Sequence, residues 1–273
     1  MKLVYSIQEI KFLNDYFKQN SEIMDKENFL QGVESLINRT PAMYFSFMTS
    51  YENGKYLQPG YLTEINICAT LAKQMGLNYI ENISEINLRH QYSNGNTTLK
   101  EYGGCNMSDI QLIDEHGNVT TIEVKEPLSL GGDFDLGITE EGKLFPKIAA
   151  NREFPESAQQ ILNEFNANDS IFNHLGHNIP LSNTTYLKSI LNSYLNSKNI
   201  DYVATYSKDS DLIYFPTSEL INHVDFKGSE IRTAGKNKVN VYTPKAFKKA
   251  MQDIGCIINT NNILTIFLII ITP

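Results

Sequence analysis

The sequence predicts an α/β fold, a mixed β-sheet flanked by helices in the order α-β-β-β-α-β, and three observations carry that expectation. Residues 107–125 hold two β-rich runs around a turn-rich pentapeptide, a helical pattern over Leu62 to Met75 precedes them, and a second helix opens after Phe154-Pro155-Glu156-Ser157. The chain has 273 residues, 41% hydrophobic and 20% charged, enough for one large domain or two small ones with a core that needs no staples. That composition excludes collagen-like, coiled-coil and wholly disordered classes.

Taken in order, Ile7, Ile10, Leu13 and Phe17 and then Phe29, Leu30, Val33, Leu36 and Ile37 recur at helical spacing, so residues 1–40 are expected to be two helices. Thr40-Pro41 ends the second, and the apolar run Ala42 to Met48 before Glu52-Asn53-Gly54 reads as a short strand and loop. Leu62, Ile65, Ala69, Leu71, Ala72 and Met75 form the apolar side of a helix that Gly76 terminates, with Glu64 near its start. Ser108 to Ile113 and Val119 to Lys125 alternate around Asp114-Glu115-His116-Gly117-Asn118, the pattern of a hairpin. Residues 126–146, Gly-rich and acidic, read as a long loop. Helices follow at Glu156 to Phe165 and Tyr186 to Leu195, and a second hairpin joins Ile200 to Tyr206 with Leu212 to Phe215. The reading divides the chain into a mainly helical extension (1–58), a core (59–255) and an apolar tail (256–273).

Charge and cysteine usage narrow the classes. The net charge is −8, so no chain-wide positive field gathers polyanions, and binding to them must come from a local patch. Cys68, Cys105 and Cys256 are odd in number and lie in no CxxC pair, which fits neither a disulfide framework nor a zinc site. A reducing, cytoplasmic setting is expected, since the N-terminus lacks the pattern of a signal peptide. The run Ile263 to Ile271 is shorter than the ~20 residues of a membrane span, so no membrane partner is expected. No GxxxxGK[ST] or GxGxxG occurs, so nothing points to a nucleotide cofactor.

Chemistry concentrates at Asp109 and Glu123-Val124-Lys125. Alternation sets Glu123 and Lys125 on one face of their strand and the hairpin brings Asp109 alongside. Two carboxylates with carbonyl and water oxygens suit Mg²⁺, and a lysine beside the attacking water completes the D…ExK pattern of metal-assisted phosphodiester hydrolysis. Two competitors share parts of it. Asp211 with Asp225-Phe226-Lys227 repeats the 14-residue offset, and Glu141-Gly142-Lys143 repeats the ExK triplet. The first set is preferred because both halves lie on readable strands between two helices. His174 and His177 have no third ligand and are read as structural or surface residues.

Thr63-Glu64-Ile65-Asn66, Ser108-Asp109-Ile110 and Ile122-Glu123-Val124-Lys125-Glu126-Pro127 resemble the core blocks of the PD-(D/E)xK type II restriction endonucleases. The likeness continues through Ser157-Ala158-Gln159-Gln160, Asp211 to Pro216, Ile231 to Asn240 and Ala246 to Ala250, roughly residues 60–254. It implies a restriction-endonuclease-like sheet, Mg²⁺ held by Asp109 and Glu123, and Lys125 activating the water. It further implies that Glu64 supports the site or binds a second metal, and that Gln159 orients the lysine or a phosphate. The family's Pro before the Asp is Ser108 here, and residues 1–58 and the apolar tail have no counterpart, so the tail reads as truncated or foreign. The implied activity is site-specific cleavage of double-stranded DNA, by analogy at GCGC, beside a methyltransferase that shares the target without necessarily binding the enzyme, with a homodimer as one assembly. A catalytically impaired DNA-binding remnant, or a repair or junction nuclease of the same type, are the alternatives.

Residues 227–249 carry seven Lys and Arg against the single acid Glu230. Such a patch matches phosphate, and within it Arg232, Lys236 and Lys238 lie on what reads as a glycine-containing loop able to reach base edges in a groove.

Overall fold

The structure is a computed structural model. It describes residues 1–37, 39–55, 57–81, 84–103, 108–125, 134–146, 156–174, 176–180, 199–219, 230–234 and 238–242; of these, 134–136, 146, 156–161, 232–234 and 238–242 are described by backbone alone. The elements run α1 (Ile7–Asn20), α2 (Lys26–Ile37), α3 (Pro41–Glu52), α4 (Pro59–Gln74), β1 (Asn78–Ile80), β2 (Leu88–Ser93), β3 (Thr98–Tyr102), β4 (Ile110–Ile113), β5 (Val119–Val124), β6 (Phe134–Ile138), β7 (Leu144–Pro146), α5 (Glu156–Asn168), a 3₁₀ turn at Ile171–His174, β8 (Ile179–Pro180), β9 (Tyr202–Tyr206), β10 (Leu212–Pro216), β11 (Glu230–Ala234) and β12 (Lys238–Tyr242). Among the described residues the chain divides into two compact units, 1–125 with 201–214, and 134–200 with 215–242.

In the first unit a seven-stranded sheet has the order β1-β2-β3-β4-β5-β9-β10. The pairs from β1 to β5 are antiparallel, and β5 pairs β9 in parallel, which makes the mixed sheet that the sequence predicts. Helix α4 is buried almost all round, through Leu62, Ile65, Ile67, Cys68, Ala69, Leu71 and Ala72. The helices of residues 1–58 share one core with α4 and the sheet. Ser6 and Glu9 close a capping box on α1, satisfying two of its orphan N–H groups. Asn66 on α4 accepts from the Tyr5 N–H at 3.0 Å and donates to the Tyr5 carbonyl at 2.9 Å, fastening the N-terminal segment to the central helix.

Residues 42–48, expected as a strand, belong to α3. Thr40 stands at the N-cap position without a side-chain capping bond, Pro41 takes the first helical turn, and Ala42, Met43 and Phe47 are the buried stripe. Tyr44 is partly buried against the core and Phe45 stacks on Tyr79 at 5.8 Å between centroids, so the helix is apolar on several sides and a helical period is hard to see in a short run.

The second unit holds a five-stranded sheet, order β7-β6-β12-β11-β8, antiparallel throughout. Two expected loops are strands here. Residues 134–146 form the β6–β7 hairpin, turned at Gly142 with φ +79°, a conformation that costs glycine little. Residues 230–234 and 238–242 form the β11–β12 ladder, with Arg232 opposite Asn240 and Ala234 opposite Lys238, so inter-strand pairing overrides the loop signal on these stretches. The expected helix at Tyr186 to Leu195 and the apolar tail lie outside the described residues.

Candidate active site

The β4–β5 hairpin builds the centre of the site. Asp114 Oδ1 accepts from the N–H groups of His116 at 2.9 Å and Asn118 at 2.8 Å, and Gly117 supplies the positive φ of +81°. This Asx-type turn sets the register from Ile113 opposite Val119 to Ile110 opposite Ile122. One residue beyond it, Asp109 Oδ2 accepts from the Val124 N–H at 2.7 Å. On the other side of β5, Glu123 and Val124 pair with Val203 and Ala204, and the Lys125 N–H continues the ladder to the Ala204 carbonyl at 2.9 Å. The backbone of Glu123-Val124-Lys125 is therefore held from both flanks. Lys125 Nζ lies 2.6 Å from Glu123 Oε1, with Glu123 only 1% exposed and Lys125 about one-third exposed.

The electrostatics follow from that burial. The Asp109 carboxyl is pushed up to about 7, first by desolvation and then by the negative charge of Glu123, with Lys125 pulling the other way. Glu64, on the first turns of α4, is raised by burial while Arg89 and Lys125 hold it back. Asp109, partly buried, and Glu123, fully buried, thus form a desolvated like-charged pair that Lys125 does not fully neutralise, which is the environment a hard divalent cation relieves. Among the described residues no three His, Cys, Asp or Glu side chains group to hold a metal. Mg²⁺ keeps several waters and takes one or two carboxylates, so the Asp109–Glu123 pair fits it.

Arg89 and Glu101 complete the surroundings and are absent from the sequence reading. The β2–β3 register shifts between Leu88 and His90, and the bulge re-aims Arg89. Its Nη2 donates to Glu64 Oε2, to Glu101 Oε1 and, at 2.9 Å, to the Tyr102 carbonyl, while the guanidinium stacks over Tyr61 at 4.5 Å. Glu101 is fully buried and its carboxyl is raised well above the usual range by desolvation. A signal was present: on β3, Leu99 and Glu101 lie two apart, so alternation sets a carboxylate where the apolar face demands a hydrophobe.

No family model matches the chain, and no curated protein matches it. It is similar to a solved structure of HhaI endonuclease in complex with DNA, at 17% identity and a TM-score of 0.37, over 66% of this chain and 84% of that one. A likeness this loose gives no residue of this chain a role.

Gln159 lies on α5, in the second unit, described by backbone alone. Arg232 and Lys238 occupy β11 and β12 of that unit, and Lys236 lies outside the described residues. Of the competitors, Asp211 pairs with the Met1 amino group at 3.7 Å and Lys2 at 2.9 Å, and Asp225 and Lys227 lie outside the described residues. Lys143 donates to the carbonyls of Asn166, in the last turn of α5, and, at 3.0 Å, of Asp169 just beyond it. His174 Nε2 is 2.6 Å from Asp169 Oδ2, in keeping with a structural role. Cys68 is buried on α4, and burial pushes its thiol well up. No helix among the described residues is long and apolar enough to cross a membrane.

Proposed function

We propose that the protein is a Mg²⁺-dependent type II restriction endonuclease that hydrolyses both strands of double-stranded DNA at a short site, with GCGC the site its sequence resemblance suggests. The observation that carries this reading is the arrangement at the end of β4 and β5: Val124 holds Asp109, Lys125 holds Glu123, and the two carboxylates repel each other in a buried setting.

In this reading Asp109 and Glu123 hold the Mg²⁺, which when bound offsets charge growing on the phosphate oxygens and lowers the pKa of water. Lys125 orients and activates the attacking water through Nζ. The Val124 N–H fixes the Asp109 carboxylate before substrate arrives, so little reorganisation is left for the reacting complex. Gln159 orients Lys125 or a phosphate. Arg232, Lys236 and Lys238 contact DNA, where arginine and lysine can read guanine O6 and N7 or hold phosphates. Cutting both strands favours a homodimer, and protection of the host's own DNA calls for a methyltransferase with the same target.

Incubation of purified protein with phage DNA and Mg²⁺ tests the reading. Discrete fragments that vanish with chelator are expected. A smear would mean a nuclease of another kind, and intact DNA with a gel shift would mean a DNA-binding protein without catalysis.

A further inference from the structure

Arg89 makes contacts that reach beyond charge pairing. Its Nη2 gathers three acceptors from two elements: Glu64 on α4, and Glu101 and the Tyr102 carbonyl on β3. Tyr102 in turn donates its N–H to the Asp109 carbonyl at 2.9 Å, and Asp109 Oδ2 accepts from Val124. One guanidinium therefore connects, through a single residue of β3, to the backbone that carries Asp109. The chain around it is shaped for this. The bulge at Leu88/His90 frees Arg89 from ordinary alternation, Tyr61 covers its guanidinium, and a Cβ at Gly103 would stand 3.1 Å from Arg89 Cδ and 3.2 Å from Nε, so glycine leaves the room the side chain fills.

We propose that Arg89 is a positioning residue for the active site: by tying Glu64 and the Tyr102 carbonyl together it fixes the backbone on which Asp109 is presented to Glu123 and Lys125. This rests on the nuclease reading for its catalytic consequence, but not for its geometric one. Arg89 does not touch the reacting atoms, and its effect passes through Tyr102 and Asp109.

The test compares Arg89→Met/Glu101→Gln with Glu101→Gln alone, because removing the arginine by itself leaves a buried carboxylate without its partner and risks the fold. Two readouts are taken on the full chain. The first is amide hydrogen exchange at Val124, whose N–H is held by the Asp109 carboxylate, with Leu112 and Ile122 of the β4–β5 pair as the check that the sheet persists. The second is single-turnover DNA cleavage with Mg²⁺, alongside DNA affinity without metal. The expected result for the Arg89 variant is Val124 exchange at least ten-fold faster, Leu112 and Ile122 unchanged, and a cleavage rate down about 100-fold with DNA affinity within three-fold. Unchanged Val124 protection overturns the proposal, and so does faster Val124 exchange with an undiminished cleavage rate in a protein that cleaves. If all ten-fold losses are shared equally by Leu112 and Ile122, Arg89 is a general staple and the proposal fails. If the unaltered protein cleaves no DNA, the nuclease reading falls, and Val124 exchange alone still decides whether Arg89 positions Asp109.

Discussion

The Val124 N–H donates to Asp109 Oδ2 over 2.7 Å, so the strand that carries Glu123 and Lys125 also grips the carboxylate that faces them. This hydrogen bond favours the ionised form of Asp109, yet burial and Glu123 outweigh it and leave the carboxyl titrating near 7. Folding therefore raises the affinity of this group for a proton from the ordinary aspartate range. Its contribution to stability is complete below about pH 4 and is lost as pH rises through about 7.

A metal-free melting series checks this. Between pH 5 and pH 8 the unaltered protein is expected to lose more stability than Asp109→Asn does, and Mg²⁺ is expected to raise the melting temperature more at pH 8 than at pH 5, because a cation competes with the proton for the same carboxylates. Parallel pH curves for the two proteins would contradict the raised titration of Asp109.

The attachment of the N-terminal segment gives a second prediction. Asn66 is 1% exposed and satisfies both backbone groups of Tyr5, itself fully buried. Asn66→Ala leaves a buried donor and acceptor unpaired, at a cost of roughly 1–3 kcal/mol for each group left unsatisfied. Urea unfolding is expected to show a loss in the range of ~2–4 kcal/mol with an unchanged m-value. A loss below ~0.5 kcal/mol, the scale of an ordinary surface change, would show that this junction is not a structural tie.

The basic ladder gives a third. If Arg232 reads a base, Arg232→Ala relaxes discrimination at one position of the target by ~1–3 kcal/mol; if Lys238 holds a phosphate, Lys238→Ala weakens every sequence alike and reduces the salt slope by about one. Competition binding across salt concentrations separates the two. Unchanged affinity of a triple Arg232, Lys236 and Lys238 alanine variant at low salt would return this segment to an ordinary solvated surface.

How much of this was legible in the sequence depended on how local the governing interaction is. Alternation and the Asp114 to Asn118 turn are local, and they placed β4, β5 and the carboxylates that flank Lys125. The amphipathic stripes of α1 and α2 were equally plain. The run Ala42 to Met48 reads as a strand in the sequence because Tyr44 and Phe45 also find apolar neighbours, which erases the polar face that marks a helix. The β6–β7 and β11–β12 ladders were read as loops because β12 pairs with β6 across about a hundred residues of sequence, beyond the reach of turn chemistry. Arg89 carries no sequence signal for a related reason: only the bulge in β2 turns it toward Glu64, 25 positions earlier in the chain.

Single-turnover cleavage by substituted proteins decides whether Asp109, Glu123 and Lys125 form the proposed hydrolytic centre. Asp109→Asn and Glu123→Gln are expected to cleave DNA at least 1,000-fold more slowly while binding it as tightly as the unaltered protein. Lys125→Met is expected to lose cleavage and keep Mg²⁺ binding. Asp225→Asn, from the competing motif at the same offset, is expected to cleave normally. Normal cleavage by Asp109→Asn together with inactive Asp225→Asn would move the hydrolytic centre to the competing motif and rule out Asp109 as a metal ligand.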